Sequence, residues 1–195
     1  MAKGQQTKNT ILDAAFDVAS AEGLEALSIG VLADQVGLSK SGLFAHFRSK
    51  EALQIQVLEF ARDDFIRVVV EPALLAARGE PRIRALFENW MVWGHHSKRP
   101  GGCVFLQAAA EYDDRPGAVR ECLVAMQRDW TGALARAAGL AIAEGHFRPD
   151  VASRQFSFDL YAVMMSCHFH SRLLGEDDAE ERARVAFERL LSYAR

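Results

Sequence analysis

Cysteine is scarce, long apolar runs are missing, and neither sign of charge prevails. The three cysteines, Cys103, Cys122 and Cys167, are odd in number and widely spaced. They form neither a disulfide framework nor a tetrahedral zinc pattern, and they read as buried thiols in a reducing compartment. No stretch approaches the apolar length needed to cross a bilayer, and the polar segment Met1 to Thr10 has no signal-peptide core. The expectation is a cytoplasmic protein with no membrane partner. Alternating β-branched segments are also missing, Val68-Val69-Val70 being the only short run. The net charge of −3 lacks the basic excess common in nucleic-acid binders. Within residues 1–50, Lys3, Lys8, Lys40, Arg48 and Lys50 cancel Asp13, Asp17, Glu22, Glu25 and Asp34. The acids all precede residue 40, however, and three of the bases cluster from there on.

What is present is helical spacing almost everywhere. Half of the 195 residues are apolar and a quarter are charged, which suits a globular fold. Ile11, Leu12, Ala15, Phe16 and Ala19 make one apolar face of a first helix, about Thr7 to Ala21, closed by Gly23 as a left-handed cap. Ser28 caps a second, short helix through Val36, and Gly37 supplies a turn needing positive φ. Ser39 caps a third through about Phe47. Ser49 caps a fourth, from Lys50 toward Val70, which Pro72 disturbs. Further helices are expected over about 82–95, 103–112, 118–143, 151–174 (with Asp150 as N-cap) and 179–193. The chain therefore reads as all-α with about nine helices.

A short helix, a Gly turn and a second short helix make a helix-turn-helix. Its second helix enters the major groove, and here it opens with Ser39, Lys40, Ser41 and Gly42. Small residues permit close approach, and Lys40 can donate to guanine or to phosphate. Phe44 and His46 lie further along, within reach of the duplex backbone, while Leu38, Leu43 and Phe47 are expected to face inward. The N–H groups near Ser49 and Lys50 would clamp a phosphate, and Lys50 adds a cation there.

From Gly23 to Leu53 these residues resemble the signature of TetR-family repressors: a Ser-capped helix, Val36-Gly37-Leu38-Ser39, then Phe44-Ala45-His46-Phe47 and Lys50-Glu51-Ala52-Leu53. Phe44 stands where the family usually has Tyr, and Ser28 where it often has Thr. The segment Gly145-His146-Phe147-Arg148-Pro149-Asp150 resembles the family's connection before its penultimate helix. The resemblance implies DNA contacts by Ser28, Ser39, Lys40, Ser41, Phe44, His46 and Lys50. It implies a helix-turn-helix domain over 1–50 and a helical effector-binding and dimerisation domain over 51–195. It further implies a regulator rather than an enzyme, with a double-stranded operator as partner, a homodimer through the last two helices and no cofactor.

The remainder is less explicit. The helix after Pro149 is apolar nearly all round, with Phe156, Leu160, Val163, Met164, Cys167 and Leu174 on one stripe and Phe158, Tyr161, Met165, His168 and Phe169 on much of the rest. Such a helix must be covered on two sides, which suits a partner subunit, the alternative being a fully buried central helix in a monomer. Trp90, Trp93, Phe105, Trp130, Tyr161, Met165 and His168 are the candidates for lining a pocket for a small hydrophobic effector, with Tyr161 and His168 as its polar groups. For any single one of them, core packing is the ordinary explanation. Cys167 and His170 share a helix face, and His95-His96 are adjacent, but no second ligand pair accompanies them, so no metal site is expected. The turn Glu111, Asp113, Asp114 and Arg115 reads as solvated, and Glu180–Arg184 as an i,i+4 pair. The alternatives are a DNA-binding regulator controlled by a protein partner or by no ligand, and an all-α metal-dependent enzyme.

Overall fold

The computed structural model describes residues 2–95 and 99–195, apart from the side chains of residues 2, 3 and 95. Among them every regular element is helical. Two compact units divide the chain, one from residues 1–64 and 98–126, the other from 65–97 and 127–195.

The first unit holds α1 (Ala2–Glu22), a 3-10 turn (Leu24–Ala26), α2 (Ile29–Val36), α3 (Lys40–His46), α4 (Lys50–Phe65) and α7 (Val104–Tyr112). α1 begins earlier than its apolar face requires, and i,i+4 hydrogen bonds from Gln5 to Asn9 and Thr10 to Gln6 support the polar extension. Its stripe of Ile11, Leu12, Ala15, Phe16 and Ala19 is buried as the spacing predicts. Leu24, Leu27, Leu32, Leu43, Phe47, Leu53, Val57 and Leu58 complete this core, all fully buried. At about 1.5–3 kcal/mol for each large apolar side chain, this burial outweighs the weak propensity of two helices only seven and eight residues long. Arg99 ties the second segment of the unit to α1. Its guanidinium lies 4.1 Å from the Phe16 ring centroid and pairs with Asp13 and Asp17 at 2.7 Å each. Gly23 does follow α1, but with φ 94 and ψ 164 rather than the left-handed helical conformation expected of a cap.

Helical residues continue without a break from Lys50 to Leu74. Ile66–Val70 form a π-helical stretch, closed by Glu71 N–H donating to the Ile66 carbonyl, and α5 (Glu71–Leu74) follows. Pro72 therefore does not end the helix. It stands in the first turn of α5, where its missing N–H is tolerated, and the widened turns precede it. Counting this run once gives nine helices among the described residues.

The second unit contains the π stretch and α5, α6 (Glu80–His95), α9 (Ser153–Arg172) and α10 (Ala179–Ala194). α8 (Ala118–Ala143) begins in the first unit and ends in the second. Phe87 and Phe187 stack with centroids 4.1 Å apart, joining α6 to α10. Ser157 Oγ donates to the Thr131 carbonyl at 2.7 Å, tying α9 to α8. Along one edge Glu80 accepts from Arg84 at 2.8 Å and from Arg195, and Arg84 reaches Glu188. Arg184 pairs with Glu180, as its i,i+4 spacing predicts, and also with Glu88. Asp150 is not the N-cap of α9. Val151 N–H donates to the Arg148 carbonyl in a further turn, so the helix starts at Ser153 with Ala152 before it. Asp150 instead lies 3.5 Å from Arg148.

Candidate nucleic-acid interface

The reading head is built from local caps. Ser28 takes an extended conformation, and its Oγ accepts from Val31 N–H at 3.1 Å, which starts α2. Gly37, at φ 67 and ψ 32, ends α2 in the left-handed region that favours glycine. Two residues later Ser39 Oγ accepts from Gly42 N–H at 3.1 Å and starts α3. The Ser39 and Ser41 hydroxyls lie 3.1 Å apart. Ser49 repeats the device for α4, accepting from Ala52 N–H at 3.0 Å.

These caps fix which face of α3 looks outward. Leu43 and Phe47 are fully buried and Leu38 is half-buried. Ser39, Lys40, Ser41, Phe44, Ala45 and Arg48 are exposed, and Phe44 keeps 54% of its surface open. Lys40, Ser41, Phe44 and Ala45 recur at helical spacing and form one strip. A Cβ at Gly30 would stand 3.4 Å from Lys40 Cε and 3.7 Å from Nζ, so the lysine stem lies over the first turn of α2, next to Ser28. His46 is half-buried with its ring 6.2 Å from that of Phe47. A strip of hydroxyls, one cation and one aromatic ring suits a groove with acceptors and methyl groups on its floor.

Lys50 stands apart from this strip. Its ammonium donates to the Glu25 carbonyl at 2.6 Å and to Glu25 Oε2 at 3.1 Å. Glu25 also accepts from Tyr112 Oη at 2.6 Å and from Gln54 Nε2 at 3.2 Å. The Tyr112 hydrogen bond first, then Lys50, hold the Glu25 carboxyl at about 2, against the opposing effect of burial. Burial, then the Glu25 contact, push the Tyr112 phenol above its ordinary range. Glu111 is half-buried rather than a purely solvated member of its turn, and its carboxylate accepts from Leu24 N–H at 2.9 Å. Sequence reasoning missed Glu25, Gln54 and Glu111 as partners. The Glu25–Tyr112 contact spans 87 positions, and no local signal announces it.

Of the candidate pocket residues, the second unit brings Trp93 and Trp130 together around Phe65, edge-on at centroid distances of 5.3 and 4.9 Å. Trp90 is 1% exposed nearby in sequence on α6. Tyr161 Oη donates to Gln127 Oε1 at 2.8 Å, and His168 is half-buried. Met165 lies outward at 48% exposure, and Phe105 belongs to the first unit. Met165 shares its outward strip with Phe158, Phe169 and Leu173. Beside it a groove of about 650 Å³ between α9 and α10 is lined by Ala162, Val163, Ser166, Arg182 and Val185 among others. Cys167 Sγ donates to the Ala179 carbonyl at 3.6 Å, and His170 bonds Glu176 at 2.8 Å. The adjacent His95-His96 pair lies outside the described residues. No helix among those described is long and apolar enough to cross a membrane.

Residues 11–57 match the family model of bacterial regulatory proteins of the tetR family, and residues 79–187 match that of the tetracyclin repressor-like C-terminal domain. The chain belongs to the TetR family. This makes it a DNA-binding transcriptional regulator of a class that is not enzymatic. A TetR transcriptional regulator from Chloroflexus aurantiacus superposes with a TM-score of 0.85 at 25% identity, covering 99% of this chain and 96% of that one. A TetR-family regulator from Agrobacterium tumefaciens gives 0.85 at 20% identity, covering 95% and 98%. AibR, solved in complex with isovaleryl coenzyme A and operator DNA, gives 0.74 at 19% identity, covering 96% and 98%. No curated protein matches the chain by sequence. For this TetR-family chain the helix-turn-helix is thus α2 and α3, and the Ser39–Phe44 strip is the exposed side of its second helix.

Proposed function

We propose that the chain is a homodimeric repressor, released from a palindromic operator by a small hydrophobic effector. The observation that carries this reading is the exposed strip of α3 set between the Gly37 turn and the Ser49 cap. Ser39, Lys40 and Ser41 meet base edges, Phe44 and His46 meet the duplex wall, and Ser28 and the backbone N–H groups at the α4 start, Ser49 and Lys50, meet phosphates. Residues 1–50 form the reading domain and 51–195 the effector-binding and dimerisation domain.

The partner is a second copy. The outward strip of Phe158, Met165, Phe169 and Leu173 on α9, with Val185 and Tyr193 exposed on α10, supports an apolar two-fold interface. The effector is apolar with one hydrogen-bond acceptor. Trp90, Trp93 and Trp130 supply rings, Tyr161 and His168 polar edges, and Trp130 Nε1 is buried with no hydrogen-bond partner among the described residues. Selection of bound duplexes from a random pool, repeated with a panel of hydrophobic ligands, tests the reading. It predicts a two-fold symmetric site whose enrichment falls with one ligand class. Absence of any sequence preference refutes it.

A further inference from the structure

Two helices, α4 and α7, and the turn after α7 converge on Glu25. Besides Tyr112 of α7 and Gln54 and Lys50 of α4, the Arg115 guanidinium approaches it at 3.7 Å, and Glu111 holds the adjoining Leu24 N–H. The buried side of the cluster is rigid, since Tyr112 is 6% and Gln54 4% exposed. The opposite side is open: the Lys50 and Glu25 side chains keep 43% and 46% of their surface. The ammonium is therefore reached from solvent, whereas the carboxylate that holds it is anchored from behind.

Lys50 opens α4, where free backbone N–H groups favour a phosphate. An ammonium already paired with a carboxylate neutralises no phosphate and releases no counterion when DNA arrives. Protonation does not free it, because Glu25 stays ionised throughout the neutral range. What keeps Glu25 in place against Lys50 from outside the helix-turn-helix is the Tyr112 hydroxyl at the end of α7, with Arg115 more distant.

We propose that Glu25, fixed by Tyr112, is a positioning residue that withholds the Lys50 ammonium from DNA phosphate, so that the placement of α7 decides whether Lys50 joins the contact. This rests on the reading of α3 and the α4 start as the DNA-facing surface. It is tested on the full chain by measuring affinity for a selected duplex across a potassium chloride series. Lys50→Met alone should leave the slope of log K against log salt at the wild-type value. Glu25→Gln should steepen it by about 0.9 per protomer, the contribution of one new phosphate contact. The double variant should return to the wild-type slope. Tyr112→Phe, which keeps the buried ring, should steepen it in the same sense as Glu25→Gln. A slope flattened by Lys50→Met in the wild-type background, or unchanged by Glu25→Gln or Tyr112→Phe in protein that melts normally, overturns the proposal. The Lys50→Met arm does not depend on the Glu25 variant folding. If Lys40→Met also leaves binding untouched, the surface assignment itself has failed, which is a separate result.

Discussion

Replacing Gly23 by alanine tests the joint between the helix-turn-helix and α7. At φ 94 and ψ 164 the residue occupies a region essentially confined to glycine, at a cost of about 1–3 kcal/mol for any other residue. An alanine Cβ would stand 1.7 Å from Glu111 Oε1, so the carboxylate must leave. That breaks its hydrogen bond to Leu24 N–H, a charge-assisted contact of about 1.5–3 kcal/mol. The two effects together predict a loss of about 2.5–6 kcal/mol. Gly37→Ala is the internal control: φ is also positive, at 67, but nothing lies within 4 Å of the added carbon. There only the backbone term of about 1–2 kcal/mol applies. Urea unfolding followed by far-ultraviolet circular dichroism measures both, since Trp90, Trp93 and Trp130 all lie in the second unit and would report on that one. With a slope of about 2 kcal/mol/M, Gly23→Ala should lower the midpoint by about 1.2–3 M and Gly37→Ala by about 0.5–1 M. Equal losses, or a Gly23→Ala loss under about 1 kcal/mol, would refute the crowding at Glu111.

Lys40→Met should weaken the specific complex about tenfold or more, as the loss of a 1–3 kcal/mol base contact requires, with the melting temperature unchanged; anisotropy on the selected duplex checks this. Phe169→Glu on the outward strip of α9 should convert dimer to monomer in sedimentation, because it places a charge in the proposed apolar interface. The Arg195 hydrogen bond, assisted by Arg84 and opposed by burial, holds the Glu80 carboxyl at about 2, below its ordinary 4.5. A depressed carboxylate stabilises the fold above pH 4.5 and loses that contribution as pH falls toward 2. Melts across that window should therefore show a steeper loss in the wild type than in Glu80→Gln.

Most of the helix-turn-helix was legible because its signals are local. Ser28, Ser39 and Ser49 each bond an N–H three residues on, and Gly37 turns the chain within its own neighbourhood. Such devices depend on short-range geometry that residue type alone dictates. The same logic misplaced the start of α9, where Asp150 has the right side chain but the chain makes a further turn at Arg148–Val151. It also read Gly23 as an ordinary cap, because the need for positive φ is visible in sequence and the value of ψ is not.

The sequence by itself determined that this is an all-helical DNA-binding regulator, since periodicity, caps and the family signature all lie within short windows. Only the tertiary structure decided which charges are engaged by partners distant in sequence. Glu25 and Tyr112, Arg99 and Asp13, and Phe65 between two tryptophans meet across tens of residues. Lys50 looked like a free cation in the sequence and is held by a carboxylate in the fold. The physical reason is that a charge is defined by its neighbours, and those neighbours are set by packing rather than by position in the chain.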